Sequence, residues 1–243
     1  MSVINKIFKN RNNSDHCTAV IVAAGSSSRM GRDKILMPLG DKPVIAHTLL
    51  AFEGSDKIDE IIVVTKLESI QAVADICAEF GITKISKVMC GGKSRLESSI
   101  IGVLEADESA GIIAIHDGAR PFPSKMLIDR LIDSVSNCGA VAPAVAPTDT
   151  VRLLNAKGAV AATPDRDLVA LIQTPQVFDA QIIKSALIKA HEKRLTITDD
   201  CSAVEATGGK VCIVAGEQTN IKLTTAMDVY VAERILAERG NNA

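Results

Sequence analysis

The sequence predicts an α/β fold, with a mostly parallel Rossmann-like sheet flanked by helices and a projecting β-hairpin arm. Short apolar, β-branched runs alternate with helical patterns along most of the chain, which is typical of strand–helix–strand units. Continuous apolar runs such as 61–64 and 112–115 are typical of strands that helices cover on both faces. The arm is predicted where this alternation stops.

The predicted elements follow from local patterns. The apolar run 19–22 marks the first strand, and the segment 124–137 places its leucines and isoleucines on one helical stripe. Ser94 and Glu97 fit a capping box that opens another helix. In chain order, the predicted strands cover residues 18–23, 60–65, 85–89, 112–116 and 139–145, and the predicted helices cover 43–53, 68–80, 94–106, 124–137, 179–193, 199–207 and 225–239.

The segment from Pro143 to Pro175 breaks the alternation because it contains four prolines and two short strand-like pieces, 150–154 and 159–162. The residues between these pieces, 155–158, give a turn signal. We therefore expect a hairpin arm at about 146–172. An isolated hairpin is marginally stable in water, and a second subunit is the simplest surface for it to pack on.

The remaining chain is predicted to be a single domain over residues 17–240, preceded by a flexible extension over residues 1–16. Its 243 residues are enough to bury a substantial core. The extension is polar and lacks the apolar core of a secretory signal. No apolar run approaches the roughly 18 residues of a membrane span, so we expect no membrane association and a cytoplasmic location.

Composition argues against nucleic-acid binding. The net charge is −2, so no basic field recruits polyanions, and aromatic residues make up only 2% of the chain, too few for base-stacking surfaces. The six cysteines contain no C-x-x-C pair and no cysteine–histidine cluster with zinc spacing. We expect free thiols in a reducing compartment.

The loop after the first strand is the most informative segment. Gly25, three serines and two cations, Arg29 and Lys34, follow a buried strand, and such a loop offers backbone N–H groups and charge to a polyphosphate. It is neither a Walker A motif nor a dinucleotide-binding G-x-G-x-x-G. The alternative is an ordinary strand-to-helix connection, although such a connection needs no cluster of cations.

A second motif begins with Gly91 and Gly92 and continues into the helix that Ser94 caps. Paired glycines permit close approach of the backbone to a flat ligand. A glycine-rich turn followed by a helix cap explains the same residues without a ligand.

A third motif, at 116–121, follows the fourth strand and contains Asp117 and Arg120. Asp117 at a strand end could ligate a metal or accept a hydrogen bond from a hydroxyl group, and Arg120 could bind an anion or a polyol. The alternative is an ion pair that tightens the turn.

Two later motifs are weaker. Either Thr198 or Asp199 could simply cap the helix that follows. Lys222, in the strand-like segment 220–224, adds another cation, but lysines are usually solvated.

Taken in order, the motifs resemble one family, the 2-C-methyl-D-erythritol 4-phosphate cytidylyltransferases of the non-mevalonate isoprenoid pathway. The resemblance covers about residues 18 to 238 and implies a nucleotidyltransferase-type fold. The motifs that carry it are AAGSSSRMG at 23–31, KILMPLG at 34–40, GGKSRLESS at 91–99, HDGARP at 116–121, TDT at 148–150, DR at 165–166, TPQVF at 174–178, ITDDCSAVE at 197–205 and NIKLTT at 220–225.

The resemblance implies an Mg²⁺-dependent enzyme that joins CTP to methylerythritol phosphate and releases pyrophosphate, and a homodimer that forms through the arm. It also implies roles for individual residues. The implied catalytic residues are Arg29, Lys34, Arg166 and Lys222; the CTP-binding residues are Ala23, Ala24, Gly25, Ser26, Gly91, Gly92 and Ser98; the substrate-binding residues are Asp117, Arg120, Thr150, Thr198 and Asp199; and Asp117 is a candidate Mg²⁺ ligand.

The chain departs from the family pattern around Lys34. The spacer after Met30 is shorter than is common, the residue before the lysine is Asp33 where proline is frequent, and Ile35 follows where glutamine is frequent. Arg32 is therefore a rival for the role of Lys34.

Three other functions fit parts of the sequence. The nearest is a cytidylyltransferase for another polyol phosphate, such as ribitol 5-phosphate. A non-catalytic nucleotide-binding domain would bind CTP without releasing pyrophosphate. A dinucleotide-dependent oxidoreductase fits the alternation of strands and helices but lacks the glycine fingerprint.

Overall fold

The structure, a computed structural model, describes residues 15–25 and 33–240. These residues contain twelve strands and seven α-helices. The strands are β1 (Cys17–Val22), β2 (Pro38–Leu39), β3 (Lys42–Pro43), β4 (Glu60–Thr65), β5 (Ile85–Cys90), β6 (Ile112–Asp117), β7 (Ala140–Val145), β8 (Leu153–Leu154), β9 (Val160–Ala162), β10 (Leu171–Ile172), β11 (Gln176–Asp179) and β12 (Cys212–Ala215). The helices are α1 (Val44–Glu53), α2 (Ile70–Glu79), α3 (Arg95–Leu104), α4 (Lys125–Cys138), α5 (Ala180–Glu192), α6 (Asp200–Ala206) and α7 (Ala226–Gly240).

Eight of the strands form one central sheet. Strands β5, β4, β1 and β6 lie side by side and run parallel. Strand β11 is antiparallel to both β6 and β7, while β7 also pairs antiparallel with β10 and parallel with β12. The predicted mostly parallel sheet is confirmed, and its carboxyl edge gathers the ends of β1, β4, β5 and β6.

Helices cover both faces of the sheet, as the apolar runs predict. Alternate residues of β1 point to opposite sides: Ile21 packs in the cluster that includes α1, α2 and α4, whereas Val20 packs in the cluster that includes α3, α5 and α6. A third, smaller cluster joins α7 to the segment around β2 and β3. It consists of Leu39, Val44, Phe122, Leu223 and Ala232.

All five predicted strands and all seven predicted helices are present, with ends shifted by a few residues. Strands β11 and β12 were not predicted, because each has only four residues and β12 is largely exposed. The predicted capping box is half formed. The Ser94 side chain accepts from the Glu97 N–H at 3.1 Å, but the Glu97 carboxylate accepts from the Lys93 N–H at 2.7 Å.

The predicted hairpin is present as the antiparallel pair β8 and β9. Its turn closes at Asn155, whose carboxamide oxygen accepts from the N–H groups of Lys157 and Ala159. Residues 152–163 are all exposed. That this hairpin projects as an arm onto a second subunit stays a prediction. Most of the predicted N-terminal extension lies outside the described residues.

The prediction that every cysteine is a free thiol is wrong for two of them. Cys138, at the end of α4, forms a disulfide with Cys212, at the start of β12, across a Cα–Cα distance of 6.1 Å. The sequence could not reveal this proximity because β12 was not predicted. Cys17, Cys77, Cys90 and Cys201 are free thiols. Within the described part of the chain, no helix has both the length and the apolar character needed to cross a membrane.

Helix α3, which carries part of the site described below, packs closely on the sheet at Gly102. A Cβ atom added there would overlap Val20 Cγ1 and would lie 2.9 Å from Val64 Cγ2, and both valines are fully buried. We expect Gly102→Ala to lower the free energy of unfolding by about 1–3 kcal/mol, despite alanine's higher helix propensity. Urea denaturation measures this loss. In the control Gly54→Ala, the added Cβ meets its nearest atom at 3.4 Å, so equal stabilities for the two variants would contradict the prediction.

Candidate functional site

A cavity of about 360 Å³ lies at the carboxyl edge of the sheet, where ligands bind in open α/β folds. Its walls come from the loop after β1, the segment before β2, the start of α3, the end of β6 and the segment before α7. The lining residues are Val22, Ala23, Ala24, Gly25, Lys34, Ile35, Gly92, Lys93, Ser94, Arg95, Ser98, Asp117, Ala119 and Lys222.

One wall is shaped by the paired glycines. A Cβ atom on Gly91 would lie 2.5 Å from Ala24 Cβ and 2.8 Å from Ser98 Oγ, so a side chain there would force the two loops apart. The Gly92 N–H donates to Ser98 Oγ at 3.2 Å, which holds the turn against the start of α3. The structure therefore brings six of the seven predicted CTP-binding residues together. Ser26 lies outside the described residues, as does the predicted catalytic residue Arg29.

Asp117 is the centre of charge in the site. Its carboxylate lies 2.8 Å from Lys222 Nζ, 3.5 Å from Arg95 Nε and 3.6 Å from Arg120 Nε. Arg95 continues this network, because its Nη2 donates to the fully buried Asp200 at 2.6 Å. The alternative that Asp117 and Arg120 form an ion pair is correct, but the pair belongs to a larger network. Asp117, Arg95 and Lys222 of this network line the cavity, whereas Arg120 does not, so its substrate-binding role stays a prediction.

The network sets the ionisation of its members. Burial alone would raise the pKa of the Asp117 carboxyl, but the charges of Arg95 and Lys222 outweigh burial and hold this pKa well below its usual range. Burial also disfavours the charged form of Arg95, yet Asp200 and Asp117 keep its pKa above the usual value. Asp117 is thus an anion, and Arg95 a cation, throughout the neutral range.

A buried relay fixes the end of β6. The Asp117 N–H donates to Thr174 Oγ1 at 3.1 Å, Thr174 Oγ1 lies 3.0 Å from His116 Nδ1, and His116 Nε2 lies 3.0 Å from the Arg120 carbonyl oxygen. The carbonyl can only accept, so Nε2 carries the proton and Nδ1 accepts from the threonine hydroxyl. A neutral imidazole satisfies every member of this relay.

The relay predicts a pH dependence of stability. Burial lowers the pKa of His116 to about 4, whereas the pKa of a histidine in the unfolded chain is about 6.5. Between these values the unfolded chain binds more protons, so stability falls as pH falls through this window. We expect the contribution of His116 to drop by about 2 kcal/mol from pH 7 to pH 5. The measurement compares unfolding free energies at both pH values for the wild type and His116→Gln, and an equal loss in both proteins would refute the prediction.

Lys34 and Lys222 both line the cavity close to Leu223. Lys34 Nζ donates to the Leu223 carbonyl at 3.3 Å, and the neighbouring Lys222 pairs with Asp117. The Leu223 N–H donates to the Ala119 carbonyl at 2.9 Å, which ties this segment to the loop after β6. Lys34 and Lys222 come from opposite ends of the sequence and line one cavity, as predicted.

The structure does not bring Thr198 and Asp199 to the cavity wall. The Asp199 side chain caps α6 by accepting from the Ser202 N–H at 2.9 Å, and Ser202 Oγ accepts from the Asp199 N–H at 3.2 Å. Thr198 is exposed. The capping alternative is therefore correct for Asp199, and a substrate-binding role for either residue stays a prediction.

Thr150 and Arg166 also lie away from this cavity. Both are exposed, and Arg166 Nη1 donates to the Thr148 carbonyl at 3.5 Å, within the arm. Their predicted roles depend on a second subunit and stay predictions.

Three residues of the site are not indicated by local sequence patterns. Arg95 lies in the motif at 91–99, where the capping pattern of Ser94 and Glu97 accounts for the sequence without a role for the arginine. Asp200 directly follows Asp199, and this pair of adjacent aspartates is the sequence signal that could have indicated Asp200. Asn220 is fully buried; its side-chain amide donates to the Thr174 backbone carbonyl at 2.8 Å, and its backbone carbonyl accepts from Arg120 Nη1 at 2.8 Å.

The donor set of the site fits Mg²⁺ only in a limited way. The described residues contain no group of three or more histidine, cysteine, aspartate or glutamate side chains arranged to hold a metal. Mg²⁺, however, is commonly held by one or two carboxylates together with substrate phosphates. Asp117 can provide such a carboxylate at the cavity wall.

Comparisons with known proteins agree with one another. A family model described as 2-C-methyl-D-erythritol 4-phosphate cytidylyltransferase matches residues 17–238. A protein of that name from Alkaliphilus metalliredigens is 40% identical over 91% of this chain and 93% of its own, and another from Halalkalibacterium halodurans is 38% identical over 91% and 97%. The crystal structure of 4-diphosphocytidyl-2C-methyl-D-erythritol synthase from Anaerococcus prevotii is 33% identical, with a TM-score of 0.83 over 91% of this chain and 96% of that one.

Proposed function

Since the chain belongs to the 2-C-methyl-D-erythritol 4-phosphate cytidylyltransferase family, we propose that it transfers CMP from CTP to 2-C-methyl-D-erythritol 4-phosphate and releases pyrophosphate, a step in isoprenoid precursor biosynthesis. The relatives carry this name rather than that of a ribitol 5-phosphate enzyme, which favours the methylerythritol substrate over the alternative.

The observation that carries the proposal is the cavity itself. The side-chain-free turn at Gly91 and Gly92 suits the close approach of a flat base, and Lys34, Arg95 and Lys222 add positive charge to the cavity lining. A nucleoside triphosphate combines a flat base with an anionic tail. The cavity offers no serine–histidine or cysteine–histidine pair to act as a nucleophile, among the described residues that line it.

The reaction needs cations more than a general base. A phosphate monoester has a second pKa of about 6, so the acceptor is largely a dianion near neutrality. One of its oxygens attacks the α-phosphorus of CTP, and the bond from that phosphorus to the oxygen bridging the β-phosphorus breaks. The electron pair of that bond leaves with pyrophosphate. Positioning and stabilisation of the spreading negative charge therefore dominate catalysis.

The proposed roles divide the cations between the two substrates. Lys34 and Arg29 stabilise charge on the α-phosphate and leaving group, while Lys222 and Arg166 align the attacking phosphate. The Lys222 amine, held at 2.8 Å from Asp117, is already oriented in the free protein. Arg120 and the predicted residues Thr150, Thr198 and Asp199 belong to the proposed acceptor side.

We also propose that the enzyme depends on Mg²⁺. Asp117 would hold the ion together with phosphate oxygens of CTP, and the ion would neutralise charge on the triphosphate. Because one carboxylate is a weak site by itself, we expect Mg²⁺ to bind much more tightly in the presence of CTP than alone. Titration calorimetry with MgCl₂, with and without CTP, measures this difference, and equal affinities would contradict it.

A homodimer through the arm is proposed on the exposed apolar side chains of residues 146–172. Leu153, Leu154, Val160 and Leu168 are each more than half exposed in the single chain, and burial against a second copy would remove that surface from water. A cytoplasmic location is proposed because both substrates are multiply charged phosphates, which do not cross membranes unaided.

The test of the function is pyrophosphate release with CTP, Mg²⁺ and either methylerythritol 4-phosphate or ribitol 5-phosphate. We expect pyrophosphate release with methylerythritol 4-phosphate and none with ribitol 5-phosphate. Release with ribitol 5-phosphate alone would keep the chemistry but replace the acceptor. Absence of release with both acceptors, together with measurable CTP binding, would leave a nucleotide-binding protein and refute the proposal.

A further inference from the structure

The residue directly before Lys34 is anchored to the end of β4. Asp33 Oδ2 accepts from Lys66 Nζ at 3.1 Å and from Ser69 Oγ at 3.1 Å. Lys66 follows the last residue of β4, and Ser69 is the N-cap of α2. The carboxylate thus joins the segment before β2 to the same carboxyl edge of the sheet that forms the cavity.

This anchor is partly shielded from water. The side chains of Asp33 and Lys66 are 21% and 22% exposed, and Ser69 is buried. Solvent screens a partly buried pair less than an exposed one, and the added serine hydrogen bond fixes the carboxylate. Asp33 is therefore held more firmly than the partners of a typical surface ion pair.

The backbone on either side of Lys34 is fixed as well. The Leu36 N–H donates to the Asp33 carbonyl at 3.2 Å, which closes a turn, and the Ile35 N–H lies 3.4 Å from Asp33 Oδ1. Aspartate is favoured at the first position of such turns for this reason. Ile35 is buried, and its carbonyl accepts from the Ile45 N–H at 2.9 Å. Lys34 thus stands between two anchored neighbours.

We propose that Asp33 is a positioning residue for Lys34, acting with Lys66 and Ser69 as a clamp on the turn 33–36. The inference rests on the proposed function, since it concerns the lysine assigned to the α-phosphate. A lysine side chain is long and flexible, so its amine can be pre-organised only if its backbone is fixed. Lys66 does not line the cavity, and its charge is directed to Asp33 rather than to a phosphate.

The clamp restrains the turn that follows the short spacer between Met30 and Lys34. A turn at this place needs some restraint on the residue before the lysine, and here an ion pair and a hydrogen bond provide it from the side chain. If the Asp33 contacts were purely structural, their loss would lower stability, and any effect on kcat would be the same whether or not Lys34 is present.

The first test is a set of kinetic variants. We expect Asp33→Ala and Lys66→Met each to lower kcat about tenfold, with the KM for CTP changed less than about threefold, because misplacement of a catalytic group acts mainly on the transition state. The double variant should be no slower than Asp33→Ala. The control Lys87→Met removes another ion pair, Lys87 to Glu105 at 2.8 Å, and should leave kcat unchanged.

The decisive comparison uses the Lys34→Ala background. If Asp33 acts through Lys34, Asp33→Ala causes no further loss of kcat once the lysine is gone. A tenfold loss in both backgrounds, or no loss in either, would overturn the inference while leaving the proposed function intact. A wild-type kcat for Lys34→Ala itself would overturn both the role of Lys34 and the clamp.

A second measurement does not depend on activity. Asp33→Ala should speed amide hydrogen exchange at Ile35 and Leu36, whose N–H groups the turn restrains, and should leave exchange in α4 unchanged. Unchanged exchange at both amides would overturn the clamp whatever the kinetics show.

Discussion

Replacement of Lys34 by alanine is expected to lower kcat by at least about 100-fold, the scale of losing one key transition-state donor. The amine lines the cavity and lies 3.3 Å from the Leu223 carbonyl, so it can reach a phosphate there without rebuilding the loop. The KM for CTP should change little, because the amine contributes most when charge spreads in the transition state. Steady-state pyrophosphate release, with circular dichroism as the folding check, measures both quantities.

The matched control for this variant is Lys87→Ala, which removes a lysine that pairs with Glu105 and does not line the cavity. It should retain the wild-type kcat. An unchanged kcat in Lys34→Ala would transfer the role to Arg32, the rival that the sequence leaves open, and Arg32→Ala would then show the large loss.

Asp117→Asn is expected to have the second large effect, a fall in kcat/KM of about 100-fold or more. The substitution keeps the shape but removes the negative charge that Lys222, Arg95 and Arg120 share. Lys222 then loses its fixed orientation, and the proposed Mg²⁺ loses its carboxylate. We expect the variant to require a higher Mg²⁺ concentration for half-maximal rate, which a titration of the rate with MgCl₂ measures.

Removing one partner of a buried ion pair also costs stability, by about 3–5 kcal/mol. The assay is therefore run below the melting temperature of the variant, as determined by thermal denaturation. Asp107→Asn provides the control, because Asp107 lies before the start of β6, whereas Asp117 is the last residue of that strand, and the Asp107 side chain accepts from Ser109. If both variants lost activity to the same extent, the loss could not be assigned to the cavity.

The parts of the fold that could be predicted are those with long local patterns. Buried strands such as β4 and β6 contain continuous apolar runs, and α4 has an apolar stripe along one face. These local patterns are enough to predict each element from the sequence. Strands β11 and β12 have four residues each and take their structure from pairing with β6 and β7. The disulfide depends on that pairing and was missed with it.

The site was predictable where a residue's role is local to its loop, and not where it depends on tertiary pairing. Gly91, Asp117 and Lys222 stand at strand or segment ends that meet at one edge of the sheet. Asp200, in contrast, matters through a guanidinium 105 residues earlier in the chain, a partner that no local pattern reveals. Asp33 stands out only as a departure from the family pattern, and its partners Lys66 and Ser69 lie beyond β4 in the sequence.

The cluster that joins α7 to the β2–β3 segment has a consequence for the order in which the site is built during synthesis. Leu223 is buried in that cluster, while its backbone contacts both Lys34 and Ala119. A nascent chain that ends before residue 222 already holds the glycine wall and the loop after β1, but it lacks Lys222, Leu223 and the helix that buries them. Such a chain carries the glycines proposed to contact CTP but lacks a lysine proposed to align the acceptor, so we expect CTP binding to arise earlier on the ribosome than phosphoryl transfer.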